Sequence, residues 1–248
     1  MKVIIILLLS SILQAQTQDQ QLNRIIKATE TFKRTATKSF IIYTENSSFD
    51  SQLIDELSSF SLEKACNIIG HKAYKNKIYI FVFNSPESIE KVIGVKINGG
   101  AIPPSNILLS IYTKNNQTFA GSHEFMHIVS HNFWGEAPST WINEGLAVYS
   151  DDAWWGYDLH AVAKKIKNKE NFDILNFTNK GVVESDPNHY YPLVGSFIKY
   201  IDNKYGLEYL MSIWKTDPIV SSPNNIEKLK HEWSAFLDTI QPIKEEYP

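Results

Sequence analysis

Between Gly121 and His131 the sequence reads GSHEFMHIVSH, which gathers three of the chain's seven histidines into one short stretch. His123 and His127 are four residues apart, so on an α-helix their imidazoles share a face and reach a common ion. Glu124 follows the first histidine directly and completes a His-Glu-x-x-His pattern. Two neutral imidazoles at this spacing suit Zn²⁺, and a glutamate about 100° around the helix reaches the water that such an ion activates rather than the ion itself. A pattern with three fixed positions also arises by chance, with the histidines then serving as ordinary surface or core residues. The stretch downstream of His131 weakens that alternative. An open zinc site needs a third protein ligand, and STWINEGLAVYSD supplies Glu144 with sixteen residues between it and His127.

The elements must then bring these groups together. The apolar run from Trp141 to Tyr149 predicts a helix returning antiparallel across NFWGEAPS, capped by Ser139 or Thr140, with Glu144 on its first turn facing the imidazoles. His131 lies about 6 Å further along the first helix than His127. It is read as structural, or as support for a ligand, rather than as a ligand.

Upstream, Leu22, Ile25, Ile26, Thr29 and Phe32 fall at helical spacing, and Phe49 to Ile69 repeats apolar residues near 3.6 up to Gly70. KSFIIYTE, KIYIFVF and NILLSIYT read as strands, and SPESIEKVIG as a helix entered through Ser-Pro-Glu. Beyond Asn115 the strand signal stops and helical pattern runs to the end. The expected fold class is therefore α+β: a small mixed sheet with helices in the N-terminal half, packed on a mostly helical C-terminal half. The expected domain organisation is a signal peptide at 1–15, an N-terminal helical segment at 16–35 and a single domain over 36–248. That domain comprises an α/β part (36–113) and a helical part (114–248), with the metal site at their junction.

With 43% hydrophobic and 21% charged residues the composition is globular, and a net charge of -3 without basic runs leaves no footprint for a nucleic-acid partner. MKVIIILLLSSILQAQ has the layout of a secretory signal, with cleavage expected near Ala15 and a secreted or periplasmic destination; an uncleaved anchor is the alternative. The apolar run is short of the about 20 residues that a span needs, so no membrane span is expected after signal removal. The lone Cys66 excludes an intramolecular disulfide framework. Asn46, Asn116 and Asn176 each begin an Asn-x-Ser/Thr triplet. DDAWWGYD sets Trp154, Trp155 and Tyr157 beside aspartates, as an aromatic subsite or sugar platform or as a hydrophobic lid between a helix and a loop. Asp151 or Asp152 could orient a ligand histidine.

HEFMH followed at this distance by WINEGLA resembles the gluzincin zinc metallopeptidases, specifically the peptidase MA-like group related to aminopeptidase-N-type and thermolysin-type catalytic domains, whose second helix carries W-L-N-E-G. The resemblance covers about Gly99 to Trp214. It implies a gluzincin-like catalytic domain holding one Zn²⁺ per chain through His123, His127 and Glu144. Glu124 would be the general base, and a peptide or protein the substrate. HYYPLVGSFIKYIDNKYG is similar to the family's Y-x-x-A-G-S-F-V-x-Y-L helix, whose leading tyrosine sits over the active site. Tyr191 aligns with that position, Tyr190 and His189 are close competitors for stabilising the oxyanion, and helix-start packing is the plain alternative. In metzincins a third histidine sits six residues after the second, past a glycine; His131 follows at four with no glycine.

The strand Asn106 to Thr113 precedes the zinc helix, as does the family's substrate-binding edge strand. If it is an edge, a peptide can add to it as an extra strand. GGAIPPSN occupies the place of the aminopeptidases' Gly-x-Met-Glu-Asn, whose glutamate grips the substrate's α-amine. No glutamate occurs here between Lys91 and Glu124, which favours an endopeptidase over an aminopeptidase. Two other readings stay open: a zinc-containing binding or adhesion domain without turnover, against which an intact Glu124 counts, and a non-peptide hydrolase on the same site.

Overall fold

The computed structural model describes residues 18–112, 121–169, 186–216 and 223–244. The expected signal peptide, Asn116 and Asn176 lie outside them. Among the described residues no helix is long and apolar enough to cross a membrane. The architecture is mixed α and β with nine α-helices among the described residues, and the chain divides into two compact units, Met1–Phe133 and Trp134–Pro248.

The first unit contains α1 (Gln18–Ala28), β1 (Lys33–Ala36), β2 (Phe40–Thr44), α2 (Ser51–Ile68), β3 (Ile78–Phe83), α3 (Pro86–Ile93), β4 (Gly99–Ile102) and β5 (Ile107–Ile111), and then α4 (Ser122–Trp134) up to Phe133. The strands form one sheet in the order β1-β2-β3-β5-β4, parallel at its centre and antiparallel at both margins. Tyr43, Phe81, Phe83, Ile107 and Leu109 turn to one face, where they pack with Ile25 of α1 and with Ile89 and Val92 of α3. On the other face Phe40 meets Phe125 of α4 edge to face at 6.1 Å. Central strands covered on both faces read as unbroken apolar runs, which is why IYIFVF is recognisable as β3. The helix entries follow local chemistry. Asp50 accepts from the backbone N–H groups of Gln52 and Leu53 at α2, and Ser85 accepts from Ser88 N at α3, behind Pro86.

Two strands escape the sequence pattern, and one of them corrects an expectation. β1 is KRTA, exposed at three of its four positions, so pairing with β2 rather than an apolar face of its own makes it a strand within the segment read as helical. β4 begins Gly-Gly, which carries no strand signal, yet it pairs antiparallel with β5 from Gly99 opposite Ser110 to Ile102 opposite Ile107. The strand before α4 is therefore interior, and the margin of the sheet on that side is β4. Behind the sheet, Cys66 of α2 is 1% exposed, and burial, followed by the Glu63 carboxylate, pushes its thiol up to about 11.

The second unit holds α5 (Thr140–Asp151), a hairpin of β6 (Ala153–Trp154) and β7 (Tyr157–Asp158), α6 (Leu159–Lys167), α7 (Pro187–Tyr205), α8 (Leu207–Thr216) and α9 (Pro223–Leu237). The hairpin is the non-helical element among the described residues of this mostly helical unit. Its two central residues, Trp155 and Gly156, have φ of 53° and 84°, the positive values that a tight two-residue hairpin turn demands. α5 and α7 cross in close approach. A Cβ on Gly145 would lie 2.7 Å from Ile198 Cγ1 and 2.9 Å from the Val194 carbonyl, and one on Gly195 would lie 2.5 Å from Val148 Cγ1. Glycine at both positions is thus a packing requirement, and alanine would force the backbones apart.

Deep in this unit, Ser196 Oγ accepts from Trp233 Nε1 at 3.1 Å and is 2.9 Å from His160 Nδ1. Burial, then the Lys199 ammonium, lower the His160 pKa to about 4, against an opposing pull from Asp158 and Asp152. The unfolded chain takes up the proton near the ordinary value of about 6.5, so the folded state holds fewer protons between the two values. Stability from this residue is whole above pH about 6.5 and falls as pH drops toward 4, by on the order of 3 kcal/mol in all. Urea midpoints measured from pH 7.5 to 4 will fall less steeply for His160→Gln than for the wild type.

Candidate metal centre

α4 sets His123 and His127 one turn apart, and their Nε2 atoms converge to 3.2 Å with the rings 84° from coplanar. A tetrahedral zinc with Zn–N of about 2.05 Å spaces two nitrogens about 3.3 Å apart, so the pair is already at ligand spacing. One donor atom each from His123, His127 and Glu144 lie within 4.8 Å of one another. His127 is 8% and Glu144 1% exposed. Two imidazoles and one carboxylate form the donor set of an open zinc site, and a carboxylate this deeply buried calls for a cation nearby. The residues present therefore fit a divalent metal. His131 is not part of that group.

Glu144 is the fifth residue of α5, just past its first turn. Ser139 does occupy the N-cap position with extended backbone, but its side chain makes no capping bond. Glu124 is half-buried on α4. β4 runs beside it: a Cβ on Gly99 would be 3.9 Å from Glu124 Oε1 and 3.2 Å from the Leu109 carbonyl. Nothing in the sequence pattern links Gly99 to Glu124, because β4 itself is not legible there.

At the head of α7 the three aromatic candidates separate. His189 lies 2.6 Å from Lys169 Nζ and 3.8 Å from Asp186, and burial, then Lys169, lower its pKa. Tyr190 is 1% exposed, and its hydroxyl makes no hydrogen bond among the described residues. Burial first and the Glu144 carboxylate second hold its phenol well above the ordinary range, so it keeps its proton. Tyr191 is half-buried and stacks on Trp154 at 5.7 Å and 16°. Asp152 is committed to Lys199 at 2.7 Å rather than to a ligand histidine.

No family model matches the chain, and no curated protein matches it. Among solved structures, the chain is similar to native yeast LTA4 hydrolase, with 12% identity and a TM-score of 0.47 over 88% of this chain and 40% of that one. The chain thus spans well under half of that protein's length.

Elemental analysis of the purified chain will find about one zinc bound. His127→Ala and Glu144→Ala will each lose it, while His131→Ala retains it.

Proposed function

We propose that this chain is an exported zinc-dependent metallopeptidase that cleaves within peptide chains. The observation that carries the reading is the convergence of His123, His127 and Glu144 donor atoms, with Glu124 on the same helix as the two histidines. Bound at those donors, Zn²⁺ would supply Lewis acidity and lower the pKa of water toward about 7. Glu124 accepts the proton of the attacking water and delivers it to the leaving amine. Its half-buried carboxylate suits that exchange, being close to solvent yet partly shielded from it. Tyr191 donates its O–H to the oxyanion of the tetrahedral intermediate, and Tyr190, protonated and buried on the neighbouring turn position, is the competing donor.

β4 supports the endopeptidase reading. It is the outermost strand on its side of the sheet, and an extended peptide adding to it receives main-chain hydrogen bonds that do not depend on side-chain identity. Gly99 keeps the space beside Glu124 free of side chain, so a substrate backbone can approach the base closely. No glutamate between Lys91 and Glu124 is present to hold a free α-amine, which favours cleavage within a chain over removal of its first residue.

Glu124→Gln will keep its zinc and lose cleavage of a proteome-derived peptide mixture by a factor of about 10³ or more, since proton transfer and its coupling to attack both fail. Zinc-dependent cleavage undiminished in this variant would sink the assigned base. Tyr191→Phe will lower kcat by about 10²-fold with KM little changed; the same loss in Tyr190→Phe alone would transfer the role to Tyr190.

A further inference from the structure

A cavity of about 460 Å³ opens between the connection from α2 to β3, which contributes His71, Lys72, Tyr74 and Lys75, and the last turn of α4, which contributes Asn132 and Phe133. Asn132 follows His127 by five residues, about 7.5 Å along the helix axis, and none of His123, His127 and Glu144 lines the cavity. Its volume is that of a small-molecule pocket, about 300 to 1,000 Å³. We propose that this cavity, independent of the metal centre, binds a small organic monoanion of the aromatic carboxylate class, with Lys72 and Lys75 on the carboxylate and the His71, Tyr74 and Phe133 rings against its flat body.

The walls are fixed by local chemistry before any ligand arrives. Gly70 turns the chain at φ 76°, and the His71 N–H returns to the Cys66 carbonyl at 2.9 Å, which closes the end of α2. His71 then lies flat on Phe133, with ring centroids 3.7 Å apart and 14° between planes, and Tyr74 meets the same ring edge-on at 5.9 Å and 81°. Asn106 ties the two sides together, because its Oδ1 accepts from the Tyr74 O–H at 2.5 Å and from Asn132 Nδ2 at 3.1 Å. Burial, the largest cause, holds the Tyr74 phenol above its ordinary range, so this wall is poorly solvated. Phe133 is still 37% exposed after both ring contacts, which leaves apolar surface for a ligand to cover.

Charge decides the occupant. No carboxylate lines the cavity, and between Glu63 and Glu87 the chain carries four lysines and no acidic residue, in a protein of net charge -3. Lys77 is committed to the Thr37 and Lys38 carbonyls, at 2.6 Å each. Lys72 and Lys75 are exposed and form no ion pair among the described residues. The helices answer part of their charge: α2 and α4 both end at the cavity, and a helix C-terminus carries about -0.5 of an elementary charge. Two such ends offset about one of the two ammonium charges, so roughly one positive charge is left over. A carboxylate matches that surplus, a phosphate dianion exceeds it, and a cation is repelled. Against poorly solvated rings the attraction is stronger than it would be between lysines in open water. Asn132 donates both Nδ2 hydrogens, to Asn106 and to the Ile128 carbonyl at 2.8 Å, which leaves its Oδ1 to accept an N–H or O–H of the ligand.

Calorimetric titration of the purified chain with N-acetyl-phenylalanine, N-acetyl-phenylalaninamide, acetate, AMP and poly-glutamate tests the assignment. The aromatic acid should bind about tenfold tighter than its neutral amide and about tenfold tighter than acetate. Lys72→Gln/Lys75→Gln should erase the preference for acid over amide, and Lys72→Arg/Lys75→Arg should keep it; both pairs replace exposed side chains, so the melting temperature stays at the wild-type value. Because a carboxylate also coordinates metals, the titration is repeated on His127→Ala and on the EDTA-treated wild type. Binding that survives in these metal-free forms and is lost with the lysines supports the site, whether or not the chain cleaves peptides. Binding lost in the metal-free forms but kept in Lys72→Gln/Lys75→Gln puts the carboxylate on the metal centre and overturns the site. Equal binding of acid and amide, or of acid and acetate, overturns it as well. Tighter binding of AMP or of poly-glutamate overturns the assigned occupant, in favour of a phosphate dianion or of an acidic protein surface.

Discussion

A carboxylate with 1% of its surface exposed is expensive to hold in charged form, and Glu144 sets that constraint for everything around it. Its charge must be met by a cation or by converging donors. The two imidazoles whose donor atoms lie within 4.8 Å of its own are placed to share such a cation with it. The site and the stability of α5 are therefore linked: an ion that binds only the folded chain stabilises it by mass action. Without such an ion a buried carboxylate would be left beside the two rings and apolar helix.

α5 is locked in place by the absence of side chains as much as by their presence. Gly145 directly follows Glu144, and its missing Cβ lets α7 approach so closely that the Val194 carbonyl would stand 2.9 Å from any atom added there. Gly195 repeats the arrangement from the opposite side against Val148. Such a crossing has little freedom to slide, so Glu144 and Tyr190 keep their relation through a rigid contact rather than through loops. The WINEG and VGSF segments are thus parts of one packing arrangement as well as carriers of chemical groups.

The chemistry is more legible in the sequence than the scaffold. Histidines four apart and a glutamate on the next helix have fixed spacings, and helical geometry translates spacing directly into position. β2, β3 and β5 are equally clear, because strands buried on both faces are apolar throughout. β1 and β4 are hidden for a common reason: KRTA and GGAI owe their conformation to the strands they pair with, which lie at a distance along the chain. With β4 invisible, β5 passes for the sheet margin, and the closeness of Gly99 to Glu124 leaves no trace in the residue pattern. The same holds for Trp154 and Tyr191, whose stacking depends on a hairpin with only two residues in each strand, too short to leave a periodic signal.

Cys66 gives the chain an internal clock. With its thiol buried and pushed up to about 11, thiolate is scarce at neutral pH, and the sulfur is shielded from solvent. In an oxidising compartment the folded protein is therefore inert toward disulfide exchange, and the rate at which Cys66 becomes reactive counts how often the first unit opens. A covalently linked dimer would be a record of past unfolding rather than an assembly.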